Sequence, residues 1–63
     1  MKILIRQIRE EKNINRRELS KTTSISERSL INYENGDSSP TLLQLKKISL
    51  ALDCSINDLY SDY

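Results

Sequence analysis

Residues 26–36 carry the start and stop signals of one short helix. Ser26 has a side chain suited to cap the first turn, and Glu27 places an acid where the positive end of the helix dipole favours one. Gly36, the only glycine in the chain, supplies the left-handed residue that ends such a helix. At about 100° per residue, Leu30 and Tyr33 share the side that we predict to face the core.

The opposite side of this helix has few structural duties. It groups charged, amide and methyl-bearing side chains, those of Glu27, Arg28, Ile31, Asn32 and Asn35. Such groups read base edges in the major groove of DNA. Each also has a plainer interpretation, since Arg28 can pair with Glu27 and an exposed aliphatic such as Ile31 is common. This side is therefore a candidate DNA-reading surface, weighed against an ordinary solvated one.

Length and composition restrict the class of protein. Sixty-three residues form one domain, residues 1–63, near the lower size at which a chain folds without disulfides or metal. The single cysteine, Cys54, excludes an intrachain disulfide, and the lack of histidine argues against a metal site. The sequence has neither a glycine-rich phosphate loop nor a nucleophile with an evident base, so we expect no cofactor and no enzyme activity. The sequence has no apolar run of ~20 residues, so we expect no membrane contact, and with the lone cysteine this favours a cytoplasmic protein. No small-molecule ligand is evident from the sequence.

Charge is distributed unevenly along the chain. The formal net charge is +1, but residues 1–28 hold eight Lys or Arg and four Asp or Glu, whereas residues 29–63 hold two and five. A basic first half fits a nucleic-acid surface on one side of the molecule, although asymmetry of this size also arises by chance.

Four further helices are predicted from periodicity and capping residues. The first spans residues 2–12, and the second spans residues 16–23 behind a capping box of Asn15 and Glu18. After the loop that ends at Pro40, residues 41–52 form a helix whose apolar stripe we assign to the core: Leu42, Leu45, Ile48 and Leu52. A short fifth helix follows Ser55. The sequence therefore predicts an all-α, compact five-helix bundle.

The chain from Ile5 to Tyr60 resembles the Cro/repressor (Xre) family of helix-turn-helix DNA-binding domains. The resemblance rests on short motifs in family order and spacing, at residues 5–12, 17–20, 26–36 and 40–42, followed by Leu45, Ile48, residues 51–52 and residues 56–59. Three residues depart from the family pattern. Ser24 replaces the usual glycine of the turn, Ser20 the usual alanine, and Asp37 stands in a loop that often carries basic residues.

The resemblance implies a lambda-repressor-like helix-turn-helix fold. Residues 27–35 would be the recognition helix in the major groove, and residues 16–23 would cross the DNA backbone. It places Glu27, Arg28 and Asn32 at base-contacting positions, and Ile31 beside them could pack on a thymine methyl. It also matches Arg9 and Glu34 to a charge pair that ties the first helix to the recognition helix in several relatives.

Arg16 and Arg17 stand in the first turn of the second helix, where the helix dipole disfavours positive charge. A DNA phosphate bound at this helix end would resolve the conflict, and the resemblance gives Arg16 the same role. Ser26 and Asn35, at the two ends of the recognition helix, complete the candidate contacts to the DNA backbone. The alternative is that these side chains are solvated surface.

The C-terminal turn offers more apolar surface than a short final helix needs. Its residues are Ile56, Leu59 and Tyr60, with Tyr63. In the resembling proteins this end commonly makes a two-fold contact, which implies a homodimer with recognition helices about 34 Å apart and a roughly palindromic operator. The alternative is that these residues close the core of a monomer.

The sequence thus favours a small transcriptional repressor that binds double-stranded DNA sequence-specifically as a homodimer. Two alternatives stay open. One is the DNA-binding N-terminal domain of a longer regulator, and the other is a protein-interaction module that keeps the same fold. Salt-sensitive duplex binding separates the last from the first two.

Overall fold

A computed structural model describes residues 2–62. In chain order it contains strand β1 (Lys2–Ile3), helices α1 (Ile5–Glu11), α2 (Arg16–Thr23), α3 (Glu27–Asn35) and α4 (Leu42–Ala51), a 3₁₀ turn (Ile56–Leu59) and strand β2 (Tyr60–Ser61). None of these helices has the length and apolar character needed to cross a membrane. Helices α2 and α3 form the helix-turn-helix that the sequence predicts.

The predicted count of five helices is wrong. The described part of the chain has four α-helices, and the fifth helix is replaced by a single 3₁₀ turn. Ser55 and Asp58 form the capping box expected at the start of a helix, in which the Ser55 N–H donates to Oδ2 of Asp58 at 3.1 Å. The chain then becomes extended at Tyr60 (φ −148°, ψ 160°), because Tyr60 pairs with Ile3 in an antiparallel sheet. Strand pairing therefore stops the helix after one turn.

The same sheet shortens the first helix. Lys2 pairs with Ser61 and Ile3 with Tyr60, and the Leu4 N–H donates to the carbonyl of Leu59 at 2.8 Å. The predicted helix over residues 2–12 consequently begins only at Ile5 and ends at Glu11. A run of three apolar residues, Ile3 to Ile5, is compatible with either structure, and only the distant partner strand decides between them.

The core lies where α1, α2, α3, α4 and the 3₁₀ turn meet. Its fully buried side chains are Ile5, Leu19, Leu30, Ile48, Leu52 and Leu59. Leu42, predicted to belong to the core stripe of α4, is instead 73% exposed. At about 100° per residue the buried residues Leu45, Ile48, Ser49 and Leu52 occupy an arc of about 100°, and Leu42 lies about 70° from the centre of that arc. The assignment of Leu42 to the core was wrong for this reason.

Candidate nucleic-acid interface

The turn between α2 and α3 is fixed by local hydrogen bonds and by one buried side chain, that of Ile25. The Thr23 hydroxyl donates to the carbonyl of Leu19 at 2.7 Å and accepts from the Ile25 N–H at 3.3 Å. Ser24, which stands where the family usually has glycine, ends α2 in the left-handed conformation (φ 61°, ψ 21°), a strained geometry for a residue with a side chain. Ile25 is 5% exposed and anchors the turn in the core. The direction in which α3 leaves α2 is therefore well determined.

Helix α3 begins and ends at the predicted residues. Oγ of Ser26 accepts from the Ser29 N–H at 3.1 Å, and Gly36 ends the helix with φ 80°. Leu30 is fully buried and Tyr33 packs half-buried against the core. These contacts hold one side of α3 and leave the other side facing outward.

The outward side of α3 presents the candidate base-reading groups. Glu27, Arg28 and Asn35 are exposed, Ile31 is 37% exposed, and Asn32 is half-buried. Within residues 2–62, Arg28 makes no ion pair, so the alternative pairing with Glu27 is not formed. The side chains of Glu27 and Arg28 thus make no ion pair and no side-chain hydrogen bond within residues 2–62, and Ile31 lies beside them partly exposed.

Glu34, on the inner side of α3, is a buried carboxylate held by Arg9 of α1. Nε of Arg9 donates to Oε2 of Glu34 at 3.0 Å and Nη2 donates to Oε1 at 3.2 Å. The Glu34 side chain is fully buried and that of Arg9 is 9% exposed. The remaining Nη1 of Arg9 donates to the carbonyl of Ile14 at 3.0 Å, which ties in the loop between α1 and α2. The ion pair implied by the family resemblance is thus present, and it links three segments.

A second arginine on the same carboxylate was missed by sequence reasoning. Nε of Arg16, the first residue of α2, donates to Oε1 of Glu34 at 3.0 Å, while a third of the Arg16 side chain is exposed. One carboxylate and two guanidinium groups form a cluster with a net charge of +1. The signal for this contact was in the sequence, because an arginine in a first helical turn demands an anion. The sequence reasoning assigned that anion to DNA, but Glu34 supplies one within the protein.

The other candidate backbone contacts lie at helix ends. Arg17 is exposed and has no ion-pair partner in the described chain. Oγ of Ser26 is engaged in capping α3 and also donates to Oγ of Ser29 at 2.9 Å. The capping box of α2 is formed as predicted, since Oδ1 of Asn15 accepts from the Glu18 N–H at 2.9 Å. The N–H groups of Arg16 and Arg17 at the start of α2 have no helical acceptor and can bind an anion.

The residues predicted to form a dimer contact differ in their exposure. Leu59 is fully buried in the core, so its side chain is not available to a second chain and its assignment to the dimer contact needs correction. Ile56 and Tyr60 are half-buried, and the Tyr60 hydroxyl donates to Oδ1 of Asn57 at 3.2 Å. Tyr63 lies outside the described residues. Only the partly exposed Ile56 and Tyr60 are left for this surface.

Two short helices joined by a tight turn, the second with a free outward face, define a helix-turn-helix protein. A family model described as helix-turn-helix, of the Cro/C1 type, matches residues 5–59. The match covers most of the chain, so the protein belongs to this family, and the resemblance drawn from its motifs is confirmed. The family is a double-stranded DNA-binding family and not an enzyme family. A search among curated proteins found no match.

Proposed function

We propose that the protein is a small cytoplasmic transcriptional repressor that binds a roughly palindromic operator as a homodimer. The observation that carries the proposal is the outward face of α3. Arg28 stands there exposed and unpaired within the described chain, on a helix anchored by the core and by the cluster of Arg9, Arg16 and Glu34. A rigid helix with free hydrogen-bonding groups suits insertion into the major groove.

Discrimination between operators would come from four side chains on this face. Arg28 has the reach for a bidentate contact to guanine, and Asn32, one turn further on, can pair with adenine. Ile31 can pack on a thymine methyl, and Glu27 can accept from the amino group of cytosine. The half-buried position of Asn32 limits its reach, so Arg28 should contribute most of the discrimination.

Affinity would come from phosphates bound at the start of α2. Glu34 holds Nε of Arg16 and leaves the terminal amino groups of that guanidinium without a hydrogen-bond partner in residues 2–62. Those groups, the free N–H groups of Arg16 and Arg17, and the Arg17 side chain can all face one phosphate. Glu34 thereby orients a phosphate-binding arginine from the recognition helix itself.

Repression would follow from occupying a promoter as a dimer. A two-fold contact through Ile56 and Tyr60 would set the two α3 helices one DNA turn, about 34 Å, apart. Sedimentation analysis of the free and operator-bound protein tests this arrangement. A complex with one protein chain per operator would contradict it.

Selection against a random pool of duplexes, followed by anisotropy titration at several salt concentrations, tests DNA recognition. We expect enrichment of a palindromic motif, and Arg28→Ala should cost about 1–3 kcal/mol of binding free energy. Arg6→Ala is the matched control, because it removes the same charge from an exposed side chain on α1 that pairs only with Glu10, at 3.6 Å. Equal losses for both variants, or no enriched sequence at low salt, would contradict specific recognition by α3.

A further inference from the structure

The outer face of α4 carries three of the four large hydrophobic residues that are exposed in the described chain. Leu42 is 73% exposed, Leu43 63% and Leu50 72%, whereas Ile31, the remaining large exposed hydrophobic residue, is at 37%. The three leucines lie on one helix and have no part in the DNA interface described above. Single exposed leucines are common on protein surfaces, but three exposed leucines on one helix face indicate a contact surface.

Two lysines lie among these leucines. At about 100° per residue, Lys46 falls between Leu42 and Leu50, and Lys47 follows Leu43 by one turn. Both lysines are exposed, and neither takes part in an ion pair within residues 2–62. Helix α4 itself has no acidic residue. The face is therefore apolar and basic, with its positive charge unneutralised.

A groove runs along one side of this face. It has a volume of about 330 Å³ and lies between the end of α2 and the second half of α4. Its lining residues are Thr22, Thr23, Ser24, Lys47, Leu50 and Ala51. An apolar side chain of a partner can rest there against Leu50 while an acidic group beside it meets Lys47.

We propose that this face of α4, with its groove, binds an acidic amphipathic helix of a partner protein. Leucines of the partner would cover Leu42, Leu43 and Leu50, and carboxylates flanking them would pair with Lys46 and Lys47. An amphipathic helix bound in a groove presents its own apolar anchors at i, i+3 or i+4, and i+7. The proposal does not rest on the DNA-binding role of the protein.

The composition of this face argues against two other binding partners, a second copy of the chain and DNA. In a two-fold contact between copies of α4, Lys46 and Lys47 at the middle of each helix would face the same residues of the other copy, which is repulsive. Binding of this face to DNA would use the lysines but would leave three exposed leucines against water and phosphate. Only a partner that is both acidic and apolar satisfies both kinds of group.

The test uses the whole protein and a synthetic helical peptide of about three turns, with leucines at i, i+3 and i+7 and glutamates beside them. Amide NMR spectra recorded during titration should show saturable shifts centred on Leu43, Lys47 and Leu50. Two variants should each weaken binding at least tenfold, the double variant Leu43→Gln/Leu50→Gln and the single variant Lys47→Glu. Because all three residues are exposed, circular dichroism should show both variants folded.

Two controls make the test specific. Lys2→Glu reverses an exposed charge on strand β1, beside α1 and α3, and should leave peptide affinity unchanged. A peptide with lysine in place of every glutamate should not bind. The proposal is overturned by the absence of saturable shifts, by equal binding of the lysine peptide, or by shifts centred on α3. It is also overturned if Lys47→Glu weakens operator binding as much as Arg28→Ala does, since the face would then belong to the DNA interface.

Discussion

Replacement of Glu34 by glutamine should severely destabilise the fold. The substitution keeps the shape of the side chain but removes the negative charge on which the Nε groups of Arg9 and Arg16 converge at 3.0 Å each. The new amide also points a donor at one of the guanidinium groups, where the carboxylate offered only acceptors. The cluster joins α1, α2 and α3, so its loss affects the docking of all three helices.

The expected magnitude follows from burial. The Arg9 side chain is 9% exposed and cannot turn to solvent, and removing one partner of a buried ion pair typically costs about 3–5 kcal/mol. Arg16 is a third exposed and can re-solvate, so Arg16→Ala should cost only about 1 kcal/mol. A domain of this length has a free energy of unfolding of roughly 3–9 kcal/mol at about 0.05–0.15 kcal/mol per residue. Glu34→Gln therefore brings the protein to the edge of unfolding.

Urea unfolding followed by far-UV circular dichroism measures these differences without the screening that guanidinium chloride would add. Glu10→Gln is the control, because it makes the same chemical change in an ion pair at 3.6 Å whose side chains are 60% and 59% exposed. The expected order of destabilisation is Glu34→Gln, then Arg16→Ala, then Glu10→Gln, with less than about 0.5 kcal/mol for the last. Equal unfolding midpoints for Glu34→Gln and Glu10→Gln would refute the argument that the buried cluster holds the recognition helix.

Three further predictions concern single side chains. Ser24→Gly should raise the free energy of unfolding by about 0.5–1 kcal/mol in the same urea assay, because Ser24 is held at φ 61°, and the same change at Ser20 inside α2 should lower it by about 0.5 kcal/mol. Burial raises the pKa of the Cys54 thiol above its ordinary value, and the charges of Asp58 and Asp53 raise it further against the opposing effect of Lys12. A thiol reagent at mildly alkaline pH should therefore react more slowly with the folded protein than in urea. The Cys54 contribution to stability is present below the unfolded-state pKa and declines as pH rises through it towards the higher folded-state value, because the unfolded chain loses its proton first. Asp37→Lys, in the exposed loop after α3, should tighten non-specific duplex binding and steepen the dependence of affinity on salt by about one phosphate contact, a slope change of about 0.9, and an unchanged slope would place this loop away from the DNA.

The helix-turn-helix could be predicted because local capping residues determine where its two helices begin and end. Asn15 with Glu18 caps α2, Ser26 caps α3, and Gly36 ends α3. These signals act over one helical turn, so a single sequence is sufficient to place them. The outward face of α3 follows from the same placement, since Leu30 and Tyr33 fix the inward side.

The ends of the chain could not be predicted in this way. Ile3 and Tyr60 become extended only because they pair with each other across nearly the whole sequence. Apolar periodicity within either segment contains no trace of that distant partner, and helix was the locally consistent assignment. The misplaced core residue, Leu42, has a related cause, because a stripe on a helical wheel does not say how wide an arc the neighbouring elements will cover.

The contact of Arg16 with Glu34 shows how a correct local argument can reach the wrong partner. Positive charge at the start of α2 required an anion, and both a DNA phosphate and a buried carboxylate meet that requirement. The two roles are compatible here. Glu34 accepts Nε of Arg16 and two hydrogen bonds from Arg9, while a third of the Arg16 side chain is exposed and its terminal amino groups have no hydrogen-bond partner within residues 2–62. A phosphate bound to those amino groups would be connected through Glu34 to the recognition helix. Loss of Arg16 should accordingly weaken cognate operators more than its charge alone accounts for, whereas loss of Arg17, which touches no such cluster, should weaken all duplexes alike.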